Sequence, residues 1–524
     1  MGSSNNIPVF TKAGHDWIRR WTGEEPSFNQ LYALDPPKES QYQRRPVQFS
    51  LDPEGTSPDV NLPSRDIMER FVDSYCSTGF HNAFPIIDPV LFGRTLDTAY
   101  TASPNPSLEV VEAQASLYSF MSLVSLCQWE WGPSHLPSVD GGPFAFKVRT
   151  TMSEIFLQVS ITNLQTTVML YIFYLFSGDP HHGKLFHSLA CRMMFALGGH
   201  LDPANLTRCT QPAACAMGAE SPRMKAYLRQ LFWIIYSFDK EISLRTRQPP
   251  SIDDDYCDLT VPDTSKGQEL SGDDPDGERP LPIAHPANLK LAIIKSKIFK
   301  RLYSASAFRK QDAELLRDIR EMDDELERWR LSVPAAYRPN LGFSSKAASR
   351  PSRPPLEVRE PFYTPTQLNR AQFGYLYLMA AIHRASGRCR GWAGGDSVDS
   401  EGISSSMAIC LQASRSSIVH LRAVLNVAAQ EVLAYIIFYP MSAALTIFCN
   451  ILLDPLDPQA AEDLQLISSV PKIIQTMPRP PRYPKDELYV QMVNAFFVEL
   501  ARIASCAVDK ATSSRVRRIR QEPC

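Results

Sequence analysis

Apolar residues in this chain recur at helical spacing in block after block, and no stretch of useful length alternates apolar and polar residues as a half-buried strand would. This periodicity constrains the fold more than any other feature. A 3.6-residue period lays one apolar stripe along each helix, and the stripes must then bury one another. After Pro63 the pattern sets in. Ser64 is suited to cap a helix, and Ile67, Phe71, Val72 and Tyr75 follow on one face. Further stripes lie in 109–129, 144–176, 184–199 and 222–245, then in 288–308, 311–331, 366–385, 405–429, 431–453, 458–477 and 487–508. No internal repeat is visible. The expected fold class is all-α, a large multi-helical domain.

Proline marks the breaks. There are 42 in 524 residues, above the usual ~5%, and an interior proline interrupts a helix. Residues 1–63 read as an extended polar arm with two short docked pieces, GHDWIRRWTG (14–23) and FNQLYAL (28–34). Loop-rich breaks fall near 247–287, with a dense set of acids, and near 333–365. The expected organisation is the arm (1–63), a helical domain (64–453), C-terminal helices packed on it (454–508) and a basic tail (509–524).

Lys plus Arg number 54 against 56 Asp plus Glu, which excludes a protein that grips nucleic acid through bulk charge. The eleven cysteines form no C-x-x-C, and the closest pair, Cys209 and Cys215, fits neither a disulfide framework nor a structural zinc site. They read as isolated thiols in a reducing compartment. The N-terminus lacks the apolar core of a signal peptide, and Asn6 stands where myristoylation wants Ser or Thr. The sequon at Asn205-Leu206-Thr207 is then without consequence. Residues 432–453 carry no charge and are long enough to cross a bilayer. Pro440, Ser442, Thr446 and Asn450, with no flanking Lys/Arg cluster, favour a buried helix pair hinged at Pro440, and no membrane partner is expected.

Motifs with chemistry are few. GDPHHGKL (178–185) places Gly178, Gly183 and Lys184 in P-loop register, but Leu185 replaces the magnesium-binding hydroxyl and the preceding run reads as a helix starting near Leu164. Asp253, Asp254, Asp255 and Asp258 lack calcium-loop offsets, and His181 and His182 would diverge on a helix. No catalytic, cofactor-binding or metal-ligating residue is assigned, and no enzyme is expected. In 311–331, Leu315, Ile319, Met322 and Leu326, followed by Trp329, form a heptad seam of about two repeats. It suits packing on its own domain, with a homodimer seam as the alternative. The tail RVRRIR offers Arg515, Arg517, Arg518 and Arg520 as candidate phosphate contacts or a weak import signal, or else a frayed terminus.

Several stretches together resemble one family. FVDSYCSTGFHNAFPIIDPVLF (71–92), with Phe84 and Pro85, resembles the opening helix and turn of the fungal-specific transcription factor domain, the middle homology region of fungal zinc binuclear cluster regulators. KLFHSLACRMMFALGGHLDP (184–203) is similar to its A-x-R-M segment through Arg192, Met193, Gly198, His200 and Asp202. LRQLFWIIYSFDKEISLRTRQPPSI (228–252) resembles its most diagnostic stretch through Phe232, Trp233, Asp239, Lys240, Pro249 and Pro250. Trp329 and Pro334 match the end of a later helix, and His383 and Arg384 an H-R-x-S helix. The series covers roughly 64–453.

The resemblance implies structural roles for these residues, including a left-handed helix cap at Gly198. It also implies a nuclear regulator of RNA polymerase II transcription, with secondary metabolism as the family's habit. Two departures stand out. Arg247 occupies a position where the family usually has Gly. No cysteine precedes Cys76, so the six-cysteine DNA-binding module is absent from this chain. Zinc is expected only if an upstream cluster exists. Promoter DNA would then be reached indirectly, through a partner protein, with a small molecule as the other candidate effector. The alternatives are a non-transcriptional sensor or adaptor on the same fold, and a nucleotide-binding enzyme using 178–185.

Overall fold

The structure, a computed structural model, describes residues 12–28, 60–102, 104–131, 136–152, 158–202, 221–262, 286–342, 365–389, 398–424, 436–476 and 484–521. Asn6, the sequon, Cys209, Cys215, most of the arm and much of both loop-rich breaks lie outside these residues. Among the described residues there are sixteen α-helices and no strand, so the chain is all-α. They are α1 (Lys12–Thr22), α2 (Arg65–Cys76), α3 (Gly79–Ala83), α4 (Pro89–Ala99), α5 (Leu108–Val124), α6 (Gly141–Thr150), α7 (Ile161–Phe176) and α8 (Pro180–Ala196). There follow α9 (Pro222–Thr246), α10 (Pro286–Ile298), α11 (Asp312–Ser332), α12 (Pro365–Arg384), α13 (Val398–Val424), α14 (Phe438–Leu453), α15 (Ala460–Thr476) and α16 (Pro484–Gln521).

The helices gather into two compact units. The first takes the described residues within 49–244 and 248–296. Its centre is α7, buried from Asn163 through Tyr174, which is why this helix is apolar all round rather than striped. It packs against α5 and α8, and α5 also carries α4 and α6. Aromatic rings fill the space between, with Phe84 stacked on Phe238 at 5.3 Å and Tyr75 edge-on to Phe120 at 5.5 Å. Ser64 stands at the N-cap of α2, but its side chain makes no capping bond. The single stripe expected over 144–176 is two helices, and Ser160 caps the second by accepting from Asn163 N at 3.1 Å.

The second unit takes the described residues within 1–48, 245–247 and 297–524. Here α12 packs on α13, α13 on α14, α15 on α16, and α11 on α12. The stripe expected over 288–308 stops being α-helical at Ile298. It continues as a π-helical turn over Phe299–Tyr303 and a 3-10 turn over Ala307–Arg309. Pro440 sits in the first turn of α14. At that position its missing N–H costs nothing, because the first turn of a helix has no acceptor for it. Residues 425–435 lie outside the described residues.

The candidate dimer seam needs correcting. Leu315, Ile319, Met322 and Leu326 are all buried within the chain's own fold, between 0% and 4% exposed. The stripe packs within the chain's own fold, where α11 contacts α12.

At the C-terminus, α16 runs 38 residues to Gln521. Arg515, Arg517, Arg518 and Arg520 therefore lie on its last turns rather than on a frayed tail, and Arg515 is exposed. One segment among the described residues, Val490–Arg515, is long and apolar enough to cross a membrane, and half of its apolar window is buried in the fold. Among its buried residues, Val490, Val493, Phe497, Leu500, Ala504 and Ala507 form a stripe at spacings of three and four, with Phe496 and Ile503 buried beside them. Glu499 and Arg502 pair beside that stripe at 2.8 Å. This is the pattern of a helix packed on one face. The segment 14–23 docks here as α1, with Ser27 N donating to Glu499 at 2.7 Å and Phe28 against Phe496 at 5.9 Å.

Candidate functional site

The family-like residues of the first unit converge on α9. The turn at 84–88 is held from two helices, α7 and α9. Tyr227 Oη donates to Ile86 O at 2.7 Å, Gln165 donates to the same carbonyl at 3.4 Å, and the Gln230 side chain donates to Pro85 O. Asp88 then caps α4, accepting from Val90 N at 2.9 Å and Leu91 N at 3.1 Å, and pairs with Arg223 at 3.0 Å. Asp-Pro at 88–89 is a sequence-level cap signature.

The end of α8 is a Schellman motif. Gly198 has φ +74°, its N–H bonds Phe195 O at 3.1 Å, and Gly199 N bonds Met194 O at 3.1 Å. Met193 is buried and accepts from Thr167 Oγ1 at 3.6 Å, whereas Arg192 is exposed and Asp202 half-buried. His200 O accepts from Arg229 at 3.0 Å and from Asp258 N at 3.0 Å. The Arg229 guanidinium also donates to Asp258 O and lies 4.4 Å from the centroid of Phe232. Arg229 thus clips two loops to α9. Sequence reasoning missed it, since its partners are backbone carbonyls.

Further along α9, Phe232 and Trp233 are core, and Asp239 and Lys240 form a clasp. The Asp239 carboxylate accepts from Ser251 N at 2.8 Å and Ile252 N at 3.1 Å. Lys240 Nζ donates to Ile252 O and lies 3.2 Å from both Asp239 Oδ2 and Asp254 Oδ1. Tyr236 Oη donates to Asp254 at 3.0 Å, and its ring lies 4.7 Å from the ammonium. Pro249 and Pro250, exposed and half-buried, bring the chain back over the helix. The diagnostic D-K-…-P-P-x-I spacing is therefore a device for fixing a loop to a helix by two charges and three backbone groups.

Beside the clasp, His187 Nε2 lies 3.9 Å from Asp239 Oδ1 and 3.7 Å from Cys191 Sγ. All three residues are buried, the one such trio of metal-capable side chains among the described residues. The arrangement does not favour a cation. Lys240 already supplies the positive charge at Asp239, and Asp239 already accepts two N–H bonds. Burial pushes the Cys191 thiol well above its ordinary range and holds the His187 imidazole below its own.

The P-loop-like segment is an interhelical turn. Gly178 takes φ +78° to end α7, and Asp179 caps α8 by accepting from His182 N at 3.1 Å. A carboxylate thus occupies the N-terminus where a phosphate would have to sit. Gly183 is not demanded by packing, since an added Cβ would lie in ordinary contact, 3.6 Å from Leu175 N.

The remaining residues belong to the second unit. Trp329 is buried against Tyr375 at 6.4 Å, and Pro334 is exposed just beyond α11. His383 Nδ1 is 2.8 Å from Ser406 Oγ, and its Nε2 is 3.5 Å from Asp323. Arg384 is half-buried. Arg247, the departure from the family pattern, has φ +56°, the one non-glycine at positive φ among the described residues. Its guanidinium lies 4.7 Å from the Tyr303 centroid. Both Gly and Ala lose that contact, but only Gly is at ease in this backbone region. Arg247→Gly should therefore be more stable than Arg247→Ala by about 1 kcal/mol, read as the difference in urea midpoints.

Comparison with known proteins bears on these motifs directly. Residues 71–331 match the fungal specific transcription factor domain, and the chain belongs to that family. It is 25% identical to an ABC-transporter-regulating transcription factor of Aspergillus fumigatus, over 100% of this chain and 56% of the relative. It is also 25% identical to a protein of the same description from Aspergillus oryzae, over 98% and 54%. An uncharacterized transcriptional regulatory protein of Schizosaccharomyces pombe is 25% identical over 78% of this chain and 50% of its own length. The chain spans about half the length of the curated relatives it matches. No solved structure matches it.

Proposed function

We propose that this chain is the regulatory part of a nuclear transcription regulator and has no enzymatic activity of its own. The observation that carries this reading is the family match over 71–331, whose diagnostic residues form the Asp239–Lys240 clasp. The clasp fixes a loop and offers no reacting group, and the P-loop-like segment is a capped turn. A buried, fully partnered polar network makes a specific structure rather than a catalyst. Relatives named as transcription factors support the reading. Promoter contacts would come from a partner protein or an upstream zinc cluster, and the relatives' names make transporter genes one target class to examine.

The test is chromatin occupancy of the chain tagged at its own locus. Discrete promoter peaks are expected. A flat profile with the tag well expressed would remove the transcriptional reading and favour a sensor or adaptor on the same fold.

A further inference from the structure

We propose that Arg247, Arg384 and Arg388, grouped about Tyr303 in the second unit, bind a small organic anion that presents a carboxylate or phosphate on a flat body. Arg247 Cζ lies 4.7 Å from the Tyr303 centroid, and Arg388 Cζ lies 5.7 Å from the same ring. Arg388 Cζ is also 4.7 Å from the centroid of Phe308, a ring that is 58% exposed. Arg384 is hydrogen-bonded to Cys410 and lies near Tyr303 and Tyr377.

The charges in this group are not balanced. Arg384 Nε and Nη2 and Arg388 Nη1 and Nη2 are buried without a hydrogen-bond partner. Among the described residues the Arg388 head group makes one hydrogen bond, from Nε to Ala385 O at 3.3 Å. Among the described residues no carboxylate pairs with any of the three arginines. The Tyr303 hydroxyl is committed to Ala381 O, so its ring and not its oxygen faces the guanidinium groups. Burial, and then the neighbouring Arg247, pull the Arg388 guanidinium below the ordinary arginine range.

Three other partly buried arginines are paired with carboxylates, whereas Arg229 is bonded to backbone carbonyls. Arg415 is bidentate to Asp463 at 2.7 and 2.8 Å, Arg223 pairs with Asp88 at 3.0 Å, and Arg330 is bidentate to Glu327 at 2.6 and 2.7 Å. Leaving buried guanidinium N–H groups unsatisfied is costly. Keeping like charges together adds to that cost. The missing element is an acceptor, and a guanidinium fork is matched best by the two oxygens of a carboxylate or by a phosphate. The rings of Tyr303 and Phe308 suit a flat, apolar remainder. Arg247 is exposed and Arg388 is half-buried. Arg247 reaches the group from a strained backbone, as side chains held for a ligand often do.

The probes are sodium benzoate and inorganic phosphate, titrated into the purified full chain at constant ionic strength made up with chloride, with neutral benzamide as control. Binding is read by calorimetry and by thermal shift. Saturable binding of benzoate but not benzamide is expected, weakened at least tenfold in Arg388→Gln and severalfold in Arg247→Gly. Saturable binding of phosphate with the same two dependences would also support the site and assign it a phosphorylated ligand. If Arg388→Gln does not fold, Arg247→Gly at the exposed position carries the test. No saturable binding of either anion, or equal binding by the wild type and both variants, would overturn the proposal. The site does not depend on the transcriptional reading, which chromatin occupancy tests separately.

Discussion

Leu326→Asp should unfold the second unit rather than dissociate a dimer. Leu326 is 0% exposed and lies on the same stripe of α11 as Ile319, Met322 and Trp329, all buried in the chain's own fold. Removing the leucine gives up about 1.5–3 kcal/mol of apolar burial. The new carboxylate must either be buried without a partner, at several kcal/mol, or force the helix away from α12. The total is about 5 kcal/mol or more, comparable with the whole stability of many domains. The expected result is a large loss of the helical circular-dichroism signal at 25 °C, with aggregation on a sizing column. Arg320→Ala, exposed on the same helix, should shift stability by less than about 0.5 kcal/mol. A Leu326→Asp protein with native ellipticity and an unshifted melting temperature would show that α11 is not held as described.

Most of the helices were legible because a 3.6-residue apolar period survives any tertiary arrangement. Their ends were less so, for identifiable reasons. Ile155, Phe156 and Leu157, outside the described residues, continue the apolar spacing in the sequence between α6 and α7, so periodicity alone joined two helices. After α10 the chain passes into a π turn whose apolar positions imitate a continuing helix. The seam of α11 was visible, but a heptad stripe records only that a face is covered and is silent on what covers it. At the candidate site, Asp239 and Lys240 were legible through the family resemblance. Their partners, the Ser251 and Ile252 backbone groups, have no side-chain signature. The arginine group was not legible at all. Residues 247, 303, 384 and 388 share no spacing, and the packing of the second unit brings them together.

The second large effect is a loss of stability between pH 6.5 and pH 4.5. His81 is buried beside Tyr75, ring centroids 5.2 Å apart, and burial pulls its pKa down to about 4 against a smaller opposing pull from Asp88. His420 is buried against Phe373 at 4.7 Å, and burial pulls its pKa down to about 3. His187 and His200 are shifted the same way, each chiefly by burial. In the unfolded chain these histidines titrate near pH 6.5. Below that pH the unfolded state takes up protons that the folded state refuses, so stability falls as the pH falls. At pH 4.5 the loss is about 2.5 kcal/mol for His81 in the first unit and a similar amount for His420 in the second. Ordinary carboxylates titrate near 4, so this window belongs chiefly to the histidines. Urea midpoints by circular dichroism should fall steeply from pH 6.5 to 4.5. His81→Leu should remove the corresponding part of the slope whatever it does to stability at pH 7. A flat profile over this range, or an unchanged slope in His81→Leu, would mean that the folded protein accepts these protons and that the imidazoles are not buried.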